Sequence, residues 1–537
     1  MVVACDTSSV TLAGNQELRV NIGGEPGTLD PGQQQYVSDA ALGRNTFEAL
    51  LKPTQDLKDV TGGAADSYTV STDGTVYTFK LHRGAKWSDG QPVKAADFVY
   101  AWQRLVDPRV AASYAAFYTV MRNGTKVNGM NPNDPGIEAA LQTLGLEAID
   151  DDTFRVTLEA PAGYFKWVAA LWTGAPIRKD VVAKAGKDSS GNARWGAVSP
   201  EAVNALIGNG QFKISEVVPK DHITLVPNPN YSGRSPKPTL TKITLFEIAD
   251  DSVAYAKYKS GELDMAAVPL SDTKTVQASP ELIRDSVLTV FWIDFNVKKA
   301  PFDNLKVRQA FSEAIDREAY VKRVLQGRGL SATTLIPKGM RDYGPEMGSA
   351  QRFDLTNARA NLKASGMTVE QLNGMDLKLY YTNFSTLIMA AEFVQAQLKT
   401  NLGINVALEG ADQHTNHVRR GAGNYTMYAL AGWGADYPDS QDWFDVFLTD
   451  STNQFNGWSN AEYDQTIVRA DILPDGAERD QLYARASRIL ASDAPVIFFY
   501  QPVDWTLVRS YVKNVTFTPI DDFPGDFHLD SIQIARH

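Results

Sequence analysis

A single cysteine, Cys5, stands in this chain of 537 residues. One thiol excludes an intrachain disulfide and any metal site built from several cysteines. Long apolar runs are missing as well: no stretch reaches the ~18 consecutive apolar residues that a membrane-spanning helix needs. The formal net charge is -11, with no run of five or more basic residues. The basic stripe expected of a nucleic-acid-binding protein is therefore absent, and the acidic balance mainly favours solubility.

Catalytic signatures are equally scarce. The chain has no Gly-x-Ser-x-Gly elbow, no His-Glu-x-x-His, no phosphate loop ending in Gly-Lys-Ser/Thr and no complete Gly-x-Gly-x-x-Gly. Gly208-Asn209-Gly210 stops after its second glycine and reads as a turn before a strand at Phe212. Carboxylates are plentiful, but no pair stands out as an acid/base couple. His414 and His417 are spaced to share one face of a helix. No third ligand accompanies them, and zinc ordinarily takes three or four protein ligands, so neither a metal nor a cofactor is expected.

What is present describes an ordinary water-soluble protein, 43% hydrophobic and 21% charged, too long for one core. Two or three domains are expected. Leu18 to Ile22 alternates with period two, and Gly23-Gly24-Glu25-Pro26-Gly27 must turn. Residues 68 to 81 read as a hairpin turning at Thr72-Asp73-Gly74, followed by a helix from Ala95 to Leu105 and a strand near Phe154 to Leu158. The stretches 211 to 226 and 240 to 248 are strand-like, and a helix from Ser252 to Lys259 stops at Gly261. Later come strand Leu377 to Thr382, helix Thr386 to Asn401 capped by Gly403, strand Ile404 to Leu408, a short helix Thr415 to Arg420, and the apolar run Tyr425 to Ala431. This βαβαβ order predicts parallel strands with right-handed crossovers.

The segment after that run is Gly432-Trp433-Gly434-Ala435-Asp436-Tyr437-Pro438-Asp439. Glycines, an aromatic and a carboxylate at the carboxyl end of a buried strand suit a ligand crevice that grips a cation. The same residues also suit a plain strand-to-loop turn in which Asp436 caps backbone amides. At the other end of the chain, Val2-Val3-Ala4-Cys5-Asp6 resembles a bacterial lipobox, which marks Cys5 as a candidate lipidation site. The charged and apolar regions of a signal peptide do not precede it, which suits a trimmed or mature form. The polar stretch to Gln16 reads as a tether, with an envelope location as the expectation.

Taken together, several motifs resemble the bacterial extracytoplasmic oligopeptide-binding proteins, the large peptide/nickel-binding class of ABC-importer solute receptors. They are Glu25-Pro26-Gly27-Thr28-Leu29-Asp30-Pro31, the stretch Phe79 to Gly90, the stretch Ala96 to Leu105, Gly208-Asn209-Gly210, Pro301-Phe302-Asp303-Asn304 with Val307-Arg308-Gln309-Ala310, and Trp433-Gly434-Ala435-Asp436-Tyr437. The similarity runs from Leu18 over nearly the whole chain.

The resemblance implies an α/β fold of two lobes joined by a hinge, a Venus flytrap closing over its ligand, with an extra mixed α/β domain. Residues 17–50, 176–290 and 501–537 would form one lobe after a tether of 1–16, residues 51–175 the extra domain and residues 291–500 the second lobe. Hinge crossings would lie at Thr289 to Phe295 and Phe498 to Gln501. It also implies an oligopeptide ligand held extended by its main chain, with ABC importer permease subunits as partners and a monomeric, extracytoplasmic, non-enzymatic receptor. Membrane contact would come only through lipid on Cys5.

Residue by residue, the resemblance assigns Asp436 to the peptide's α-ammonium, Trp433 to an apolar wall, and Gly432 and Gly434 to close backbone approach. Gln35, Tyr36 and Val37 would face the peptide from the other lobe, and Tyr114 would lie near the pocket. The chain also departs from its relatives: Leu430 replaces a carboxylate-binding arginine, Leu387 falls near a carboxylate-binding histidine, and His414 takes the place of a pocket tryptophan. Capture of the peptide's N-terminus is thus better supported than any particular peptide length. The alternatives are a dipeptide, oligosaccharide or metal-chelate receptor of the same fold, a hydrolase, and a non-transporting sensor or chaperone.

Overall fold

The computed structural model describes residues 11–35, 37–186, 195–521 and 523–537. The chain divides into two compact units, Met1–Ile283 with Trp505–His537, and Arg284–Asp504. Both mix helices and sheets, so each is an α/β body.

Two four-stranded sheets organise the first unit. One runs in the order Glu17–Asn21, Lys242–Phe246, His222–Pro227, Phe212–Val218. Its first pair is parallel and the others antiparallel. The alternation read at Leu18 sends Leu18 and Val20 inward, where both are fully buried beside Ile243 and Leu245. The stretch 211 to 226, read as continuously strand-like, is a hairpin that turns through Lys220 in the left-handed region at φ 64°. No glycine marks that turn, which is why the pattern looks unbroken. Asp250 then caps the helix Asp251–Ser260 by accepting from the N–H groups of Ser252 and Val253, and Gly261 ends it at φ 83°.

The other sheet, Ala65–Val70, Val76–Leu81, Thr153–Thr157 and Leu146–Asp150, is antiparallel throughout and lies within residues 51–175. Helix Ala95–Val106 covers it with Phe98, Ala101, Trp102 and Leu105, the i, i+3, i+4, i+7 stripe of one buried face. Trp102 meets Phe154 of the sheet edge-to-face at 5.3 Å between ring centroids. Residues 51–175, expected as an extra domain, are tied into the first unit. Arg104 pairs with Asp30 at 2.8 Å, and Ser88 donates its N–H to the Gly208 carbonyl.

In the second unit the predicted βαβαβ order is realised by Lys378–Thr382, helix Ser385–Leu402, Ala407–Ala411, helix Gln413–Gly421 and Met427–Gly434. Lys378–Thr382 pairs in parallel with both other strands. The sheet is mixed rather than parallel, because Thr289–Phe295 joins Met427–Gly434 antiparallel and itself pairs antiparallel with residues 496–500. Ala407–Ala411 starts later than expected: Ile404 and Val406 are buried apolar residues that pack before the ladder begins. Leu379, Val394, Leu398, Met427, Ala429, Ile497 and Phe499 belong to one core cluster under this sheet.

The chain passes between units at 283/284 and 504/505. The segments expected as hinge crossings, 289–295 and 498–501, are paired strand residues inside the second unit, with Phe291 opposite Tyr500 and Trp292 opposite Phe498.

Candidate functional site

The Met427–Gly434 strand reaches further than its apolar run suggested. Gly432, Trp433 and Gly434 are not loop residues; they sit in register opposite Phe291, Val290 and Thr289. The two glycines answer first to that neighbouring strand. A Cβ on Gly432 would lie 2.5 Å from Phe291 Cδ1, and one on Gly434 would lie 2.9 Å from Thr289 Oγ1. Three residues earlier in the strand the ladder slips, because Trp292 faces Ala431 while Asp294 faces Tyr428. Leu430 takes up the extra residue in the left-handed region at φ 55°, and its side chain is buried in the core cluster.

Asp436 follows directly, half-buried, where the pairing ends. Its backbone N–H donates to Asp442 Oδ2 at 2.9 Å. Asp442 belongs to a one-turn helix, Gln441–Phe444, and is 2% exposed. Burial drives its carboxyl well above the ordinary range and the charge of Asp436 adds to that, while the N–H groups of Asp436 and Tyr437 and the Trp433 indole oppose it. Asp442 Oδ1 and Trp433 Nε1 are both buried without a hydrogen bond. The indole is thus close enough to favour the anion but not in bonding geometry.

Beneath this turn lies a polar network that fixes it. Asp439 receives Arg479 on both oxygens and also accepts the Gln441 N–H at 3.0 Å. Arg479 extends to Tyr483 Oη, which donates to Asp471 at 2.8 Å. Tyr437 donates to Gln441, and Gln441 to Asp445. Burial pushes Asp445 up to about 7 and raises Asp471 well above its usual value. Asp439, Asp442 and Asp445 thus surround the base of the turn that presents Asp436. Their spacing of three after Asp436 is visible in the sequence, where no carboxylate pair had stood out; the partner Arg479 lies 40 residues beyond Asp439 and left no signal.

The remaining candidates fall in several places. In the first unit, Gln35 Oε1 accepts a hydrogen bond at 2.7 Å from Ser113, the residue before Tyr114, and the Tyr114 ring meets Trp172 at 5.3 Å. Val37 opens the helix Val37–Thr46. Tyr36 and Cys5 lie outside the described residues. In the second unit, His414 is exposed on the helix Gln413–Gly421, and His417, also exposed, packs its ring 5.7 Å from Phe455. Among the described residues no group of three or more His, Cys, Asp or Glu side chains is placed to hold a metal ion.

Comparison with known proteins bears directly on this arrangement. The profile of the bacterial extracellular solute-binding proteins, family 5 (middle), matches residues 59–455. The chain belongs to that family. It is 31% identical over 544 residues to the periplasmic oligopeptide-binding protein OppA of Salmonella typhimurium, covering 99% of this chain and 94% of that protein. It is 30% identical over 518 residues to the probable deoxycholate-binding periplasmic protein YgiS of Escherichia coli, covering 94% and 91%. Among solved structures, Haemophilus influenzae OppA in complex with the peptide RPPGFSPFR superposes with a TM-score of 0.78 at 27% identity, over 98% of this chain and all of that one. The family's members are solute receptors, and the two-lobed α/β class expected from the sequence is the class of these neighbours.

Proposed function

We propose that this chain is an extracytoplasmic receptor that binds oligopeptides by their main chain and N-terminal ammonium and delivers them to the permease of an ABC importer. It performs no chemistry of its own, works as a monomer, and touches the membrane only through lipid carried on Cys5. The observation that carries this reading is Asp436, a half-buried carboxylate at the end of a paired strand, on a turn pinned by a buried ion pair. A peptide ammonium is the natural counterion for such a group. Trp433 beside it supplies an apolar wall, and main-chain bonding of an extended ligand leaves side-chain identity loosely specified.

The relative named for deoxycholate marks the competing ligand class. A bile acid is an anion, and Asp436 would repel it, so the acidic anchor favours a ligand with a free ammonium. A neutral oligosaccharide has no use for that charge either.

Calorimetry with trialanine, N-acetyl-trialanine and deoxycholate separates these readings. Removing one member of a buried pair typically costs ~3 to 5 kcal/mol, so Asp436→Ala is expected to weaken trialanine by roughly two to three orders of magnitude. Acetylation should cost the wild type a similar amount and the mutant much less, which isolates the ammonium contact in a double cycle. Tight deoxycholate binding without peptide binding would overturn the proposal.

A further inference from the structure

In the second unit a groove opens where the end of the helix Ser385–Leu402 meets the helices Leu355–Ala364 and Val369–Asn373. None of the residues lining it belongs to the Asp436 turn or to the network beneath that turn. It encloses about 320 Å³, at the small end of the range for ligand pockets. Its floor is apolar. Leu362 and Leu402 are buried members of the core cluster, and the partly buried Met367 and Val369 pack against that cluster while lining the groove. Arg359 and Lys363, both exposed and four residues apart, share one face of the helix Leu355–Ala364 and also line it. The Arg359 guanidinium is held in place by the Asn401 carbonyl, to which Nε and Nη2 donate at 3.4 and 3.3 Å. That carbonyl positions the cation without neutralising it. Among the described residues neither Arg359 nor Lys363 forms an ion pair, and no acidic residue lines the groove. Acidic residues outnumber basic ones 63 to 52 in this chain, so two neighbouring cations left unmatched call for a reason.

An apolar floor edged by two unmatched positive charges complements a molecule of the opposite build, with an anionic head and an apolar body. We propose that this groove binds a single-chain carboxylate from solution, an acid of the fatty-acid type. Its carboxylate lies between Arg359 and Lys363, and its chain lies over Leu362, Met367, Val369 and Leu402. Residues at i and i+4 of a helix stand about 5 to 6 Å apart at their Cβ atoms, a span that one carboxylate can bridge with long side chains on either side. The guanidinium offers paired N–H donors to such a head, and each methylene that leaves water adds to affinity. The groove is concave, which suits a chain laid into it rather than a flat lipid surface. This site is independent of the reading of Asp436.

The test is calorimetry with decanoate, below its micellar range and at about pH 7.5, where its carboxyl is ionised. The wild type should bind one decanoate per chain, with or without saturating trialanine. Octanoate, two methylenes shorter, should bind about tenfold more weakly. Arg359→Gln combined with Lys363→Gln should weaken decanoate by about tenfold, and because both positions are exposed the variant should fold as the wild type does. Charge reversal, Arg359→Glu with Lys363→Glu, should reject decanoate and accept decyltrimethylammonium, which the wild type should not bind. Absence of saturable decanoate binding overturns the proposal. So does displacement by trialanine, which would put the acid in the peptide site, or an affinity unchanged in the double glutamine variant, which would put it elsewhere. Equal binding of decyltrimethylammonium and decanoate to the wild type would show that the charges play no part, and overturns it as well. Concentration-dependent dimerisation or adsorption to phosphatidylglycerol vesicles, lost in the same variant while decanoate fails to bind, would give the groove a different occupant and also overturn it.

Discussion

Arg479 holds Asp439 through two parallel hydrogen bonds, Nη1 to Oδ2 at 2.7 Å and Nη2 to Oδ1 at 2.8 Å, with the two side chains 1% and 4% exposed. This fork is the strongest pairing geometry available to a guanidinium and a carboxylate. It joins the turn carrying Asp436 to a helix far along the chain. Removing only the cation leaves a buried anion, so Arg479→Met should destabilise the protein by about 3 to 5 kcal/mol in denaturant titration. Replacing both partners, as Asp439→Asn with Arg479→Met, should recover much of that loss, because the carboxylate then left without the guanidinium is the part-exposed Asp475, which also pairs with Arg341. Equal losses in the single and double variants would mean that packing, not charge, holds the turn.

Gly432 gives a second test, separating a structural role from a ligand-contact role. An alanine there would place its Cβ 2.5 Å from Phe291 Cδ1, inside any real contact. Gly432→Ala should therefore lower stability by about 1 to 3 kcal/mol through overpacking. Adding Phe291→Leu should restore part of it. If Gly432→Ala leaves the thermal midpoint unchanged but abolishes peptide binding, the glycine serves the ligand rather than the neighbouring strand.

Much of the local architecture was legible because its signals are local. The stripe Phe98, Ala101, Trp102, Leu105 and the alternation at Leu18 and Val20 are short-range patterns, and the structure buries these residues. The order strand, helix, strand, helix, strand from Lys378 to Gly434 was equally readable, and its parallel pairing followed from connection length. Pairing between distant segments was not. Nothing near Glu17 announces Lys242, its partner in the first sheet, and nothing near Gly432 announces Phe291. The candidate site was legible to the same extent. Asp436 stood out through its position after an apolar run, whereas Asp442 and Arg479 acquire meaning only once the chain is folded around them.

Glu48 offers a pH test away from the candidate site. Burial pushes its carboxyl up to about 7 from 4.5, although Tyr231 donates to Oε1 at 3.1 Å and Lys52 and His82 favour the anion. The folded state therefore binds the proton more tightly than the unfolded one. Its contribution to stability is full below about 4.5, and is lost as pH rises to about 7. Wild type should lose on the order of 3 kcal/mol across that window from this group. Glu48→Gln should flatten that part of the profile in denaturant titrations at a series of pH values. A profile unchanged by the substitution would mean that Glu48 titrates normally.

Specificity is the final test, and it follows from how the proposed anchor works. On that reading Asp436 would recognise a group that every unblocked peptide shares, and an extended main chain bonds in the same way whatever side chains it carries. Peptides of one length but different sequence should therefore bind within about two orders of magnitude of one another, ~3 kcal/mol. Leu430 and Leu387, which the resemblance sets at carboxylate-binding positions, are both apolar, and Leu430 is buried in the core. No carboxylate clamp fixes length at those positions, so tri-, tetra- and pentapeptides should also fall within that range, and amidating the C-terminus should cost far less than acetylating the N-terminus. Calorimetry over a matched panel checks all three expectations. One indispensable side chain, or a C-terminal amide as damaging as an N-terminal acetyl, would show that the ligand is gripped from its other end and that Asp436 is not its principal anchor.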